Sequence, residues 1–84
     1  MSIRNNRRSQ PDREFQVIWN QERCRFDVCR GGVPTGAHST GKGVAVGAAI
    51  REARKEALST GHFIVVTSTL DGRRVLEWDG YGER

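Results

Sequence analysis

The stretch Gly41 to Leu58, GKGVAVGAAIREARKEAL, constrains this chain more than any other. Ala49, Ile50, Ala53 and Ala57 recur at three- and four-residue spacing with Val46 one turn earlier, while Arg51, Glu52, Lys55 and Glu56 fall on the other side. That spacing predicts an amphipathic helix with one face turned to a core. Ser39 or Thr40 is the expected N-cap, and Gly61 the expected stop. The apolar face is narrow and rich in alanine, so the bulk of the core must come from elements laid against it.

Those elements read as short strands. Phe15, Val17 and Trp19 alternate with Gln16 and Asn20 in EFQVIWN, and Cys24, Phe26 and Val28 alternate with Arg25, Asp27 and Cys29 in RCRFDVCR. With NQER as the turn, the two segments predict an antiparallel hairpin, apolar inward and charged outward. GGVPTGAHST is loop-like, with room for a short edge strand near Thr35 to His38. After the helix, HFIVVTS is apolar on both faces and reads as a central strand. Asp71-Gly72 centres a hairpin turn, Arg74 to Trp78 returns as the last strand, and DGYGER is too short and polar to add another element. The expected fold is α+β: a two-layer sandwich in which an antiparallel sheet of four to five strands carries one helix on one face, in the order β-β-(β)-α-β-β. Residues 14–82 form one compact domain, and residues 1–13, almost without apolar side chains, form a flexible basic arm.

Eighty-four residues allow one small core, of a size that often gains stability by dimerising. No apolar run approaches the roughly 18 residues of a membrane span, and the polar start MSIRNNRRSQPDR lacks the apolar segment of a secretory signal. A cytoplasmic protein with no membrane partner is expected. Cys24 and Cys29, five apart in one expected strand, would hold their Cα atoms roughly 16 Å apart at ~3.3 Å per residue. That exceeds disulfide reach, so both are expected as reduced thiols.

Charge is placed unevenly. Residues 1–55 carry eleven Lys/Arg against five Asp/Glu, and residues 56–84 carry three against five. A basic front and acidic back suit nucleic acid, an acidic partner or self-association. Arg4, Arg7 and Arg8 of the arm, Lys42 at the helix start, and Arg51, Arg54 and Lys55 on the helix are the candidate phosphate contacts, with Glu52 and Glu56 interrupting the helical set. Arg73 and Arg74 at the last hairpin add to that surface.

Other chemistry is weak. GAHSTGKG, Gly36 to Gly43, fits the phosphate-loop pattern except at its last position, where Gly43 replaces the Mg²⁺-binding hydroxyl. A nucleotide hydrolase is not expected, and what remains is an anion site at a helix start or a simple capped loop. Cys24, Cys29, His38 and His62 lack the close paired spacing of a zinc set. His38 beside Ser39 and Thr40 has no orienting carboxylate, which leaves a small hydrolase or nuclease as a remote alternative. Trp19, Trp78, Phe63 and Tyr81 could offer base-stacking surfaces, but both tryptophans read more readily as core residues. No metal or cofactor is expected, and no catalytic residue.

The order FQVIW, RFDVCR, AIREARKEA, FIVVTSTLDGRR and the closing DGYG (Asp79 to Gly82) resembles a small bacterial family known as domain of unknown function 2188, over roughly residues 14–82. The chain departs from that family where NQERCRF replaces a glycine-rich turn and a strand-opening tryptophan, and in the glycine run before the helix. The resemblance implies the ββ(β)αββ fold and no established activity. The layout also looks like double-stranded-RNA-binding domains and small antitoxins at the level of fold alone. From the residues, the expected function is a non-enzymatic nucleic-acid-binding module for DNA or RNA. The alternative is a protein-interaction or homodimerisation domain pairing through an exposed sheet edge.

Overall fold

The computed structural model describes residues 10–81. Five strands and one helix follow in the order β1 (Arg13–Asn20), β2 (Arg25–Arg30), β3 (Val33–Ser39), α1 (Lys42–Thr60), β4 (Ile64–Leu70) and β5 (Arg73–Gly80). The strands form one sheet in the order β3-β2-β1-β4-β5, with the helix on one face. This is the expected α+β sandwich, with one difference in the sheet.

The sheet is mixed. β1 pairs antiparallel with β2, in the register Phe15 opposite Arg30 through Asn20 opposite Arg25. Its other edge pairs parallel with β4, from Arg13 opposite Ile64 to Ile18 opposite Thr69. A parallel pair requires a long crossover. Here α1 supplies it, carrying the chain from edge strand β3 back across the sheet to β4, beside β1. The expectation of a wholly antiparallel sheet is corrected on this one pair.

The core follows from strand alternation. Phe15 and Val17 of β1, Phe26 and Val28 of β2, and Ile64 and Val66 of β4 point to the helix and are buried there. They meet Ala45, Ala49, Ala53 and Ala57, each no more than 1% exposed. The alanines recur every fourth residue, and with no side chain beyond Cβ they let the helix sit close on the sheet. Ala45 extends the stripe one turn earlier than the expected face. Val46 and Ile50 flank it, partly buried beside Trp78.

The ends of the elements show how local chemistry sets them. Gly61 takes the left-handed conformation (φ 75°) and its N–H donates to the carbonyl of Ala57 at 2.7 Å, stopping the helix as expected. At the other end the N-cap is Gly41, with extended backbone and no side-chain cap, so neither Ser39 nor Thr40 fills that place. β3 runs into the helix through only two residues, and Ser39 Oγ instead accepts the N–H of Gly41 at 3.1 Å. Asp71 and Gly72 both have positive φ, 54° and 77°, the geometry of a two-residue hairpin turn matching sheet twist. Asp79 and Gly80, expected in a closing segment that adds no element, pair with Val65 and Ile64 and extend β5. The Trp78 ring lies over Gly80, where a Cβ would come within 2.9 Å of it.

The N-terminal boundary also moves. Arg13 opens β1, and Asp12 just before it exchanges two hydrogen bonds with Phe63. The Asp12 N–H donates to the Phe63 carbonyl at 2.8 Å, and the Phe63 N–H donates to the Asp12 carboxylate at 2.9 Å. These residues belong to the fold, whereas the expected arm ran through residue 13.

The alanine stripe has a direct test. Ala53→Leu forces three extra carbons into a site with 0% exposure and should lower unfolding free energy by about 1–3 kcal/mol. Glu52→Gln, on the exposed side, should stay within about 0.5 kcal/mol, both measured by urea denaturation.

Candidate functional site

Of the expected phosphate contacts, Arg4, Arg7 and Arg8 lie outside the described residues. Arg51, Arg54 and Lys55 come together on the outer, exposed face of α1, away from the alanine stripe. Among the described residues none of the three stands within ion-pair distance of a carboxylate. Lys42 is not with them. At about 100° per residue, nine positions separate it from Arg51 by half a turn. Its Nζ lies 3.4 Å from Glu77 Oε2 on β5.

The two acids that interrupt the helical cations in sequence behave differently in space. Glu56 turns toward the sheet, where Arg30 holds it by two bonds, Nε to Oε1 at 2.7 Å and Nη2 to Oε2 at 3.0 Å. Arg13 Nε adds a third at 3.3 Å. This cluster ties the start of β1 and the end of β2 to the last turns of α1. Arg30 foremost, with Arg13 behind it, holds the Glu56 carboxyl below its ordinary range despite partial burial. Glu52 stays exposed. The outer face is therefore more positive than the linear order REARKEA suggests.

Two further cations are likewise occupied. Arg25 Nε donates to Asp27 at 2.8 Å, and Arg74 Nη2 donates to Glu14 at 2.7 Å on the helix-free face of the sheet. Glu14 also accepts the Thr67 hydroxyl at 2.7 Å, so this pair fastens β5 and β4 to β1. Asp27 is held below its ordinary range by the Asn20 side-chain amide first and by Arg25 next.

The other candidate chemistry is dispersed. Gly36 to Ser39 is edge strand, so the GAHSTGKG segment is not a free loop wrapped around a helix start. Cys24 is exposed in the β1–β2 turn at φ 51°, outside the strand expected to hold it. Cys29 is buried on the helix-free face, and burial chiefly, with Asp27 nearby, pushes its thiol up. His38 lies on β3 opposite Asp27, and His62 in the connector after the helix. Among the described residues no three His, Cys, Asp or Glu side chains stand together as metal ligands would.

Trp19 packs edge-on against Phe26 at 4.9 Å between ring centres, and Trp78 lies against the core. Phe63 and Tyr81 stack on one another at 4.8 Å. An open groove of about 750 Å³ runs between α1 and the β2–β3 side. Phe15, Thr35 and Ala37 line it together with Glu52, Lys55 and the Arg30–Glu56 pair. Its width follows from the small side chains of β3. That run of small residues is its one mark in the sequence.

In comparisons with known proteins, no family model, no curated protein and no solved structure matches this chain.

The Glu56 cluster makes stability pH-dependent with a defined sign. Its folded carboxyl titrates lower than an unfolded one, so its contribution is present above the ordinary carboxylate range and lost as pH falls through the folded value. Glu56→Gln should cost roughly 1 kcal/mol near neutral pH, given the partly exposed arginines. The gap to the parent chain should close below about pH 4 in denaturation curves taken across that range.

Proposed function

We propose that the chain is a non-enzymatic nucleic-acid-binding module whose described contact surface is the outer face of α1. The observation that carries the reading is that Arg51, Arg54 and Lys55 share one exposed helical face with no carboxylate within ion-pair distance among the described residues. Three unpaired cations within two helical turns suit a run of phosphates, because each neutralised phosphate releases condensed counterions. Withdrawal of Glu56 to Arg30 removes one of the two helical carboxylates, and Glu52 remains beside the trio. Arg4, Arg7 and Arg8 belong to the same proposal as an arm along the backbone. Lys42 contributes less, since Glu77 already faces it. The contacts are to phosphate and sugar, so affinity should exceed sequence preference. The likeness to domain of unknown function 2188 stands within this proposal as a relation of fold and adds no activity.

Fluorescence anisotropy with labelled single- and double-stranded DNA and RNA tests it. Binding should weaken steeply with salt. Replacing Arg51, Arg54 and Lys55 together by alanine should reduce the duplex salt slope by up to ~3, about 0.9 per lost phosphate contact. Lys42→Ala should change affinity less than the triple replacement. No binding to any probe at low salt would remove the proposal.

A further inference from the structure

The two edges of the sheet are built differently. β3 carries Pro34, which has no N–H to offer, Gly36 at φ 95°, and a register shift between Asp27 and Cys29 in its pairing with β2. Each of these blunts an edge against a further strand. β5 has no proline, and from Arg73 to Leu76 it pairs with Leu70 to Thr67 in unbroken register. Its one irregularity comes after Leu76, where Glu77 turns to the helix side to accept the Ser68 hydroxyl at 2.6 Å. Its outer backbone groups have no strand beside them among the described residues.

β5 is also the strand the helix covers least. Val75 is 46% exposed on the helix side and Leu76 is 56% exposed on the other, with Leu70 at 40% beside the turn. Valine and leucine so exposed on both faces of an edge mark an unfilled interface. The charges around them name the occupant. Read along the strand, Arg73, Arg74, Val75, Leu76 and Glu77 run from basic through apolar to acidic. An antiparallel copy of the same strand presents the complementary order.

We propose that β5 pairs antiparallel with β5 of a second copy of this chain, about a two-fold axis at Val75. In that register Val75 faces its own counterpart, Arg74 lies opposite Leu76, and Arg73 lies opposite Glu77. Every paired position then shares a face, because Arg73, Val75 and Glu77 all lie on the helix side. Arg73, which has no ion pair among the described residues, comes opposite Glu77 and shares its carboxylate with Lys42 and the Ser68 hydroxyl. Such an interface is isologous and closes at two chains, giving one ten-stranded sheet with both helices on the same face. This pairing does not depend on nucleic acid, and its test contains none.

The test is molar mass in solution, by light scattering and sedimentation over a range of concentrations. The parent chain should pass from 9.4 kDa to twice that as concentration rises. Val75→Glu and Val75→Lys each place like charges on the two-fold axis and should raise the dimer dissociation constant by roughly tenfold or more. Mixing the two variants should restore a dimer of one chain of each kind, since glutamate then faces lysine. A parent chain at single-chain mass throughout overturns the proposal. So do single variants that dimerise like the parent, and a mixture that stays monomeric. Should either Val75 variant lose its circular-dichroism signature, Arg73→Glu, on an exposed side chain, reads the same interface and should also dissociate it.

Discussion

The contact between four alanines and six large strand residues governs this molecule. Ala45, Ala49, Ala53 and Ala57 offer almost no side chain, so the helix backbone rests near the sheet, and the volume of the core comes from Phe15, Val17, Phe26, Val28, Ile64 and Val66. A helix held so closely is a narrow cover. It shields β1, β2 and β4 and leaves the outer strands under-covered on both sides. On the β3 side, small residues turn the shortfall into an open groove. On the β5 side, where the strand keeps valine and leucine, it becomes exposed apolar surface. Both surface features descend from the same economy of volume in the helix.

Charge in this chain is organised in space and only loosely along the sequence. Among the described residues, four cations of the basic front half have carboxylate partners: Arg13 and Arg30 at Glu56, Arg25 at Asp27, Lys42 at Glu77. Three of these pairs join the halves, so the basic front and the acidic back are brought against one another on folding. Because Arg30 reaches across from β2 to take Glu56, the helix is left with a cationic outer face. A tally of residues would not locate that face; the path of β2 relative to α1 does.

What could be read from the residues was whatever rests on periodicity or on one residue's backbone preference. Alternation located β1 and most of β2, the two-faced apolar run located β4, Asp71-Gly72 located the last turn, and Gly61 located the helix stop. What escaped depended on partners distant in sequence. The parallel pairing of β1 with β4 leaves no mark on either strand's alternation. Arg13 and Asp12 look like arm residues until Glu56 and Phe63 are beside them. Cys24 fits the alternation of β2, yet the turn takes it at positive φ. Ala45 sits in a glycine-rich stretch whose apolar signal is faint. For the candidate interface, the helical trio was legible from helical spacing, whereas the diversion of Lys42 to Glu77 required β5 to lie beside the helix start.

The parallel pair has a consequence for how the chain comes into being. β1 occupies the middle of the sheet, yet the strand that completes it, from Ile64 to Thr69, is made some fifty residues later in the chain, by the spacing of Arg13 from Ile64. During synthesis β1, β2 and β3 can form hairpins early, but the far side of β1 waits, with its backbone groups unpaired, until the helix and β4 have emerged. Closing so long a loop is the slow event in such a topology. The domain thus has no intermediate length at which it is finished, and a nascent chain stopped after the helix exposes its most central strand.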